Sequence, residues 1–338
     1  MQFLYVIIFL LVWNTPLNGI VDLDSYIQDF ILDTKKIEIS GYPDAFNPSI
    51  IRWRDSILMT FRIRDPITAT THQIGFVWLD EDFNPTTKPA LLEIQQPSSC
   101  PYQMAQDPRL ITFEDKVYIV FNDMVDFIDK KIRRMLVGEL IIEQNRFYVE
   151  NLTLLLNYEG EDKKRHEKNW VPFEYDNKFL LSYSIDPHII LKSLINSPTC
   201  KTVSKSHSAI KWNWGILRGG SQAYLIDGEY LAFFHSSKEV STVQSKGKKI
   251  SHYVMGAYTF NSTPPFKLTR ISPEPLVSKT FYNGPLHNTW KPLRVVFPGG
   301  FIFNEKYIWV AYGRQDHEVW VAKLDKKGLL DSLIPIKE

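Results

Sequence analysis

With 338 residues, the chain is long enough to bury a large core, either as one big domain or as two ordinary ones. Its composition of 44% hydrophobic and 23% charged residues is typical of a soluble globular protein, and a net charge of +1 excludes an electrostatic grip on nucleic acid. The aromatic share of 14% is high and favours β-structure or a surface that faces carbohydrate.

The first residues have the pattern of a targeting segment. Residues 3–13 are a continuous apolar run, which is followed by Pro16 and by Asn18-Gly19. The run is too short for a spanning helix and is typical of a signal-peptide core that is cleaved near Gly19. Because a basic start is missing, an uncleaved signal anchor is the alternative, and only then would the protein contact a membrane. We expect residues 1–19 to be a signal peptide or anchor, residues 20–338 to be one domain, and the protein to be secreted or lumenal.

Cysteines and sequons also bear on the compartment. Cys100 and Cys200 could pair in an oxidising lumen, or they are two unrelated loop thiols, and the sequence does not decide between these readings. Glycosylation sequons begin at Asn151 and Asn261 and add weak support for secretion.

Helices are scarce in the sequence pattern. Apolar residues at helical spacing between residues 22 and 32 predict a short N-terminal helix that packs outside the following domain. A second, weaker helical pattern covers residues 326–334.

Five β-hairpins account for most of the remaining chain. In the clearest of them, apolar residues alternate with others on both sides of the polar turn Glu114-Asp115-Lys116. The predicted hairpins cover residues 49–62, 106–123, 170–184, 220–235 and 297–312, with turns at 54–55, 114–116, 176–177, 227–228 and 304–305. A further strand-like run follows each hairpin, at residues 75–79, 134–142, 189–192, 253–260 and 318–324. Polar loops are expected at residues 159–167, 196–207 and 236–249.

This repetition predicts an all-β fold, a five-bladed β-propeller with a short N-terminal helix. Turns spaced by roughly fifty to eighty residues indicate a repeat array, and three or four strands per unit are the content of a propeller blade. A doubly wound α/β sheet would need a helix between successive strands, and the pattern lacks these helices. A sandwich of two sheets is the structural alternative.

Polar residues recur where the predicted hairpins open. The inner strands of a propeller line a central channel, so the open ends of five hairpins should meet at one mouth. The residues expected there are Asn47 and Arg62; Asp107, Arg109 and Asn122; Lys168, Asn169, Ser184, Asp186 and His188; Arg218, Gly219, Gly220, Ser221 and His235; and Gly299, Gly300, Arg314, Asp316 and His317. Singly, each has an ordinary explanation, since Asp before Pro is common turn chemistry and a Gly pair permits a bend. Together, several cations and a few carboxylates suit acid catalysis on an anionic or polyhydroxylated ligand.

At these residues the chain resembles a known family. It is similar to the five-bladed β-propellers of glycoside hydrolase family 130, which comprises β-mannoside phosphorylases, β-1,2-mannosidases and related mannosyltransferases. The resemblance covers roughly residues 46–330 and rests on the order and spacing of several motifs. These motifs are Asn47-Pro48-Ser49, Phe61-Arg62, Gln106-Asp107-Pro108-Arg109, Lys168-Asn169-Trp170 and Tyr312-Gly313-Arg314-Gln315-Asp316, followed by Val321-Ala322.

The resemblance implies roles for the matching residues. Asp107 stands where the family has its catalytic acid, which protonates the glycosidic oxygen through a hydroxyl of the bound mannose. The implied sugar-binding residues are Asn47, Arg62, Asn169 and Asp316. The residues implied for an anion or second reactant are Arg109, Lys168, His235 and Arg314. No metal and no cofactor are implied. Arg314 replaces a small residue of the family, so the ligand beside Asp316 is expected to differ.

The expected function is that of a carbohydrate-active enzyme on β-mannoside-like glycans, with Asp107 as proton donor. Hydrolysis is favoured over phosphorolysis, because the family's phosphate-binding arginine has no clear counterpart and because a secreted phosphorylase would lose its sugar phosphate. The candidates for that arginine are Arg133, Arg134 and Arg165.

Other reactions on the same scaffold stay open. An inverting hydrolase needs a carboxylate base, for which Asp123, Asp186 and Asp316 are candidates. The alternatives are a lumenal glycosyltransferase with a nucleotide- or lipid-linked donor and a non-catalytic glycan-binding propeller. The expected partner is a carbohydrate, with phosphate or a nucleotide sugar as second reactant.

Overall fold

Strands are the main element of the structure. The computed structural model describes residues 19–64, 72–94, 104–127, 130–193 and 197–337. The predicted targeting segment up to residue 18 and Cys100 lie outside these residues. Within them, the succession of strands confirms the all-β prediction. None of the helices in the described ranges is long and apolar enough to cross a membrane.

The predicted N-terminal helix is wrong in extent. Only Leu23–Tyr26 form a single 3-10 turn, in which the Asp22 side chain accepts a hydrogen bond from the backbone N–H of Asp24. Strand β1 (Ile31–Ile37) follows and pairs antiparallel with a strand near the other end of the chain. A helix over residues 22–32 would be too short to be stable by itself. Pairing of β1 with a distant strand instead satisfies the backbone hydrogen bonds of residues 31–37 and buries Ile37.

Within the described ranges, five antiparallel units, mostly of four strands, follow one another. The first contains β2 (Phe46–Trp53), β3 (Ser56–Arg64), β4 (His72–Leu79) and β5 (Ala90–Ile94). The second contains β6 (Gln106–Phe113), β7 (Lys116–Phe127), β8 (Lys130–Glu143) and β9 (Arg146–Leu154). The third contains β10 (Val171–Tyr175), β11 (Lys178–Ser184), β12 (His188–Ser193) and β13 (Cys200–Ser206).

The last two units complete the chain. The fourth contains β14 (Arg218–Gly219), β15 (Tyr224–Ile226), β16 (Glu229–Ser241), β17 (Lys249–Asn261) and β18 (Leu268–Ile271). The fifth contains β19 (Leu293–Phe303), β20 (Tyr307–Arg314) and β21 (Glu318–Asp325). Strand β1 pairs with β21 and is the fourth strand of this unit, so the two ends of the domain are joined. Helix α1 (Lys326–Ser332) and the short β22 (Ile334–Pro335), which pairs with β18, come last.

The hairpin predictions are confirmed, and two loop predictions are wrong. All five predicted hairpins and the strand after each are present. The predicted loop at residues 196–207 contains β13, and the one at residues 236–249 is partly strand, because β16 continues to Ser241. Among the described residues strand β13 pairs with β12 alone, and its exposed positions alternate with less exposed ones. It therefore carries few apolar side chains, and its sequence resembles that of a loop.

The hydrophobic core lies between the units. In one cluster Phe76 of the first unit packs against Phe121 and Phe147 of the second, and the rings of Phe76 and Phe147 stack at 4.6 Å. Another cluster joins the last unit to the first, with Val321 packed near Met59. The first strands also touch in series, because β19 contacts β2, β2 contacts β6 and β6 contacts β10. The starts of these strands, where the predicted site residues stand, therefore lie side by side.

Candidate active site

A cavity of about 570 Å³ lies where the first strands begin. Eight residues expected at the mouth line it: Asn47, Arg62, Asp107, Lys168, Asn169, Arg218, His235 and Asp316. Among the described residues of its wall are five cations, Arg62, Arg64, Arg133, Lys168 and Arg218, and two carboxylates, Asp107 and Asp316. The cavity has the size of a small-ligand site and an excess of positive charge.

Four of the polar site residues lie in the left-handed region of backbone space: Asp316, with a φ of 54° after β20, and three residues at the starts of first strands. The φ angle is 47° at Asn47, 53° at Asp107 and 65° at Asn169. The pairing of β2 with β3 shifts register across Asn47, and the pairing of β6 with β7 shifts across Asp107. Asn and Asp adopt this conformation more readily than other residues with a Cβ, and such an irregularity re-aims a side chain. The local backbone at the strand starts thus presents these three side chains to the cavity.

Asp107 is held by two side chains from the first unit. Asn47 Nδ2 donates to Asp107 Oδ1 at 2.8 Å, and Arg62 Nη1 donates to the same oxygen at 3.1 Å. The residue is 7% exposed. Burial by itself raises the pKa of Asp107, but the charges of Arg62 and Lys168, with the hydrogen bond from Asn47, outweigh burial and hold the pKa below its ordinary value. By itself, the site therefore keeps Asp107 ionised at neutral pH.

Arg109 lies behind the cavity wall rather than on it. Its guanidinium is fully buried and donates to the carbonyl oxygens of Asp107 and Gly219, at 3.0 and 3.1 Å, and to that of Gly220. It also donates to Asn169 Oδ1 at 3.1 Å. Arg109 thus connects the second, third and fourth units through hydrogen bonds. These bonds hold the backbone at Asp107 and the side chain of Asn169 in place.

Four of the five wall cations, Arg64, Arg133, Lys168 and Arg218, have no carboxylate partner among the described residues, whereas Arg62 pairs with Asp107. Lys168 and Arg218 line the cavity without an ion pair. The pKa of Lys168 is lowered to about 8, first because the crowded wall removes part of its hydration and then because Arg133, Arg62 and Arg218 repel its charge, while Asp107 acts in the opposite direction. These cations are therefore available to an anion.

Arg133 is anchored by neighbours of the second unit. Its Nη1 donates to Asn122 Oδ1 and to the carbonyl oxygen of Met104, both at 3.0 Å. Burial, and next the charge of Arg62, lower its pKa to about 10, so it stays charged at neutral pH. Of the three arginines considered for an anion, Arg133 lines the cavity, whereas Arg134 donates to the carbonyl of Arg165 and Arg165 pairs with Glu167.

Two histidines of the cavity are neutral. Burial, followed by the charges of Arg62 and Arg64, lowers the pKa of His72 to about 3. Burial, followed by Arg109 and Arg218, lowers the pKa of His235 to about 3. The ring of His235 packs on Phe297 at 4.4 Å, and its buried Nδ1 has no hydrogen-bond partner in the described part of the chain. Neutral imidazoles among cations can share hydrogen bonds with a ligand without adding charge.

The pKa of Asp316, the second carboxylate of the cavity, is shifted in the opposite direction to the pKa of Asp107. Burial raises the pKa of Asp316, Arg62 opposes this, and the negative charge of Asp107 raises it further. The other two base candidates do not line the cavity. Asp186 is exposed, and Asp123 is buried, where its Oδ1 accepts from the backbone N–H groups of Met104 and Met124 at 3.0 and 2.6 Å. Burial raises the pKa of Asp123 to about 6.

Arg314 does not line the cavity. Its Nε lies 2.6 Å from Glu318 Oε2, and its guanidinium lies 4.6 Å from the ring centre of Trp320. The predicted arginine beside Asp316 is therefore occupied within its own hairpin. Likewise, His188 from the third unit is buried against the carbonyl oxygen of Phe266, with Nδ1 at 2.7 Å.

Several cavity residues were not predicted as site residues. Arg64, His72 and Tyr253 stand on strands that the sequence indicated, but without a motif that marked them. Asn288, Thr289 and Trp290 come from the connection between β18 and β19, and Trp290 is 70% exposed. Sequence periodicity does not mark Trp290, and its place in a polar connection was the one signal that the sequence offered.

Fold and site together define an all-β repeat protein with a cation-rich cavity where its first strands meet. No protein-family model matches the chain, and no curated protein matches its sequence. Solved structures do match it. One is described under the GH130 family of mannoside phosphorylases, which contains glycoside hydrolases that target β-1,2 mannosidic linkages in Candida mannan, with a TM-score of 0.59, 12% identity and coverage of 84% of this chain and 85% of the other.

Two further matches are proteins of Leishmania mexicana. A mannose phosphorylase in complex with phosphate aligns with a TM-score of 0.60 at 12% identity, over 90% of this chain and 92% of the other. A GDP-Man-dependent mannosyltransferase aligns with a TM-score of 0.54 at 11% identity, over 87% and 90%. The resemblance to the family 130 fold is thereby confirmed at the level of the fold.

Proposed function

We propose that the chain is a carbohydrate-active enzyme that acts on β-mannoside-like glycans in the cavity, with Asp107 as proton donor, and that its five units are the blades of one propeller. The observation that carries the proposal is the convergence of Asn47, Arg62, Asp107 and Asp316, from three different units, on one cavity. Amide, guanidinium and carboxylate groups of this kind bind sugar hydroxyls. The propeller is supported by the core clusters between successive units and between the last and the first.

The second reactant is an anion, and phosphate is the simplest one. Lys168, Arg133 and Arg218 line the same cavity as Asp107, and positive charge exceeds negative charge there. The sequence favoured hydrolysis for two reasons: no arginine could be assigned to phosphate, and a secreted phosphorylase would lose its sugar phosphate. The position of Arg133 in the cavity wall answers the first reason and supports phosphorolysis, or the reverse synthesis, over hydrolysis. The second reason applies to phosphorolysis in a secreted protein and does not apply to the reverse synthesis.

Anion binding would also prepare the acid. Asp107 is ionised in the presence of its cations, and an ionised carboxylate has no proton to give. A phosphate held by Lys168 and Arg133 would offset their charge and raise the pKa of Asp107, which can then take up a proton. Asp107 would pass this proton towards the glycosidic oxygen as phosphate oxygen attacks the anomeric carbon, so the departing saccharide leaves as an alcohol and the mannose leaves as a 1-phosphate.

A mannosyltransferase is the second candidate. The same cations could hold the diphosphate of a nucleotide sugar, and one structure of the same fold is a GDP-Man-dependent enzyme. Hydrolysis would need Asp316 as the base, since it is the other carboxylate that the described wall of the cavity contains.

An activity assay separates these readings. Purified protein is incubated with β-1,2-mannobiose alone, with β-1,2-mannobiose and phosphate, and with GDP-mannose and a mannose acceptor. We expect mannose 1-phosphate to form only when phosphate is present. Free mannose without phosphate would indicate hydrolysis, and product from GDP-mannose alone would indicate transfer. Binding of mannan with no turnover under any condition would replace the proposal by a glycan-binding protein.

The compartment stays a separate proposal. We propose entry into the secretory pathway on the basis of the apolar residues 3–13 and the two sequons, of which Asn151 is exposed on β9. A mobility shift after enzymatic removal of N-glycans from protein made in eukaryotic cells, absent when Asn151→Gln and Asn261→Gln are combined, would support it. Protein that is unglycosylated and remains in the cytosol would contradict it.

A further inference from the structure

A second cavity, of about 490 Å³, lies at the far ends of strands that also serve the active-site cavity. Its wall includes Trp53 at the end of β2 and Trp78 near the end of β4. The same strands carry Asn47 and His72 of the active-site cavity at their other ends. Six residues of extended chain separate the two positions on each strand, which is about 20 Å. The second cavity, called here the two-tryptophan pocket, is therefore separate from the active site.

Both indoles are only partly covered by protein. Trp53 and Trp78 are half-buried and pack one side against the core cluster between the first and second units. The indole N–H groups of Trp170, Trp212, Trp214 and Trp320 each donate to a side chain. Those of Trp53 and Trp78 have no acceptor within the described ranges. Both indoles line the pocket, and their indole N–H groups are not used up by bonds to the described residues.

Apart from Ile142, the rest of the described wall is polar and nearly uncharged. Ser56, Thr87 and Gln144 contribute hydroxyl and amide groups, and the side chains of Ser56 and Gln144 make no hydrogen bond to the described residues. Of the described residues in the wall, one is charged, Arg54, whose guanidinium lies 5.7 Å from the ring centre of Trp53. The neighbouring Arg52 is neutralised by Glu81, with two hydrogen bonds at 2.5 and 2.7 Å.

We propose that the two-tryptophan pocket is a second saccharide-binding site, which takes one or two sugar rings of a neutral glycan. Indole faces pack against the C–H faces of pyranose rings, while hydroxyl, amide and indole N–H groups bond the ring hydroxyls. One partly engaged cation gives little reason for an anionic ligand to bind, unlike the active-site cavity. A site that holds one part of a glycan while another part is remote would tether a polymer to this protein. This inference does not depend on the proposed activity.

Calorimetric titration with β-1,2-mannotetraose tests it. The Asp107→Asn protein is used so that the saccharide is not consumed. Trp53→Ala and Trp78→Ala are each added to Asp107→Asn. We expect each to weaken the saccharide affinity of one of the two sites about tenfold or more, which is the loss expected for a stacking indole. Trp309→Ala is the matched control, because Trp309 is also half-buried but packs on Phe83 and Tyr307, away from the pocket.

A surface substitution guards against misfolding. Ser56 is exposed at the pocket rim, so Ser56→Glu should leave the fold intact, as checked by its thermal midpoint, and still abolish the binding event by steric and charge effects. Turnover of a short β-mannoside by Trp53→Ala in the otherwise wild-type protein should be unchanged. Saccharide binding that is insensitive to both Trp53→Ala and Ser56→Glu overturns the proposal. Absence of any saccharide binding outside the active-site cavity also overturns it.

Discussion

The first strands of the five units differ at the place that lies nearest the cavity or next to its supporting backbone. In the first three units a polar residue with left-handed backbone stands there, namely Asn47, Asp107 or Asn169. In the last two units glycine pairs stand there, Gly219-Gly220 at the end of β14 and Gly299-Gly300 within β19, where its pairing with β20 shifts register. The first three units therefore have a polar side chain at this place, and the last two have glycines without side chains.

The glycines are explained by what lies against them. A Cβ on Gly299 would overlap the carbonyl oxygen of Pro48, and a Cβ on Gly219 would overlap that of Asn169. Pro48 follows Asn47 directly, so the missing side chain of Gly299 leaves space for the backbone that orients Asn47. The comparison teaches that the site is supported across unit boundaries and is not built by single hairpins.

The largest effect that we expect in the polar half follows from replacing Asp107, the proton donor. Asp107→Asn should lower kcat by about 10²–10⁴-fold, because Asn keeps the shape and a hydrogen bond but has no proton to give. The dissociation constant for saccharide should stay within a few-fold, as calorimetry can measure. Turnover close to that of the wild type would make Asp107 a turn residue only.

Anion affinity should depend on Lys168. Lys168→Ala should weaken phosphate binding by about 10–100-fold, the range for a lost charge-assisted bond, whereas Lys178→Ala, at the start of β11 and outside the cavity wall, serves as control. The pKa of Lys168 is lowered to about 8, so its charge, and phosphate affinity with it, should fall as pH rises through about 8. Lys168→Arg should keep the affinity above that pH. Equal affinity in Lys168→Ala and wild type would mean that Lys168 is a surface lysine.

In the glycine half, the expected effect is on stability first. Gly299→Ala forces a methyl group against the Pro48 carbonyl, so we expect the free energy of unfolding to fall by about 2–3 kcal/mol, measured with urea. Gly160→Ala is the control, since a Cβ there meets no atom within 4 Å and only the backbone φ of +77° resists it. If both variants lost the same stability, the overlap at Gly299 would not be the cause.

The smallest expected effect concerns Asp123, which lies near the site but outside the cavity. Its folded-state pKa is raised to about 6, so its contribution to stability is fully present below about pH 4 and is lost as pH rises through about 6. Asp123→Asn should remove this loss and raise the free energy of unfolding at pH 7 by about 1–2 kcal/mol, with little gain at pH 4. A gain that does not change with pH would rule out titration of Asp123 as its source.

Much of this fold could be predicted because its information is local. Alternating apolar residues around short polar turns identify each hairpin, and repeated polar residues at the strand starts identify the site. Strand β1 could not be predicted, because it pairs with β21, almost three hundred residues away, and its apolar spacing also fits a helix. Arg109 was assigned to an anion because the carbonyl groups that hold it, at Gly219 and Gly220, are remote in sequence. Trp290 stands in an irregular connection, where no period marks it.

The central claim is that cavity cations hold Asp107 ionised until an anion offsets them. Carbon-13 NMR of aspartate-labelled protein tests it most directly, with the Asp107 carboxyl signal assigned by its loss in Asp107→Asn. The account predicts a carboxylate that is still ionised at pH 4 in the protein alone and whose pKa rises when phosphate is added. An ordinary or raised pKa without phosphate, or a pKa that phosphate leaves unchanged, would contradict it.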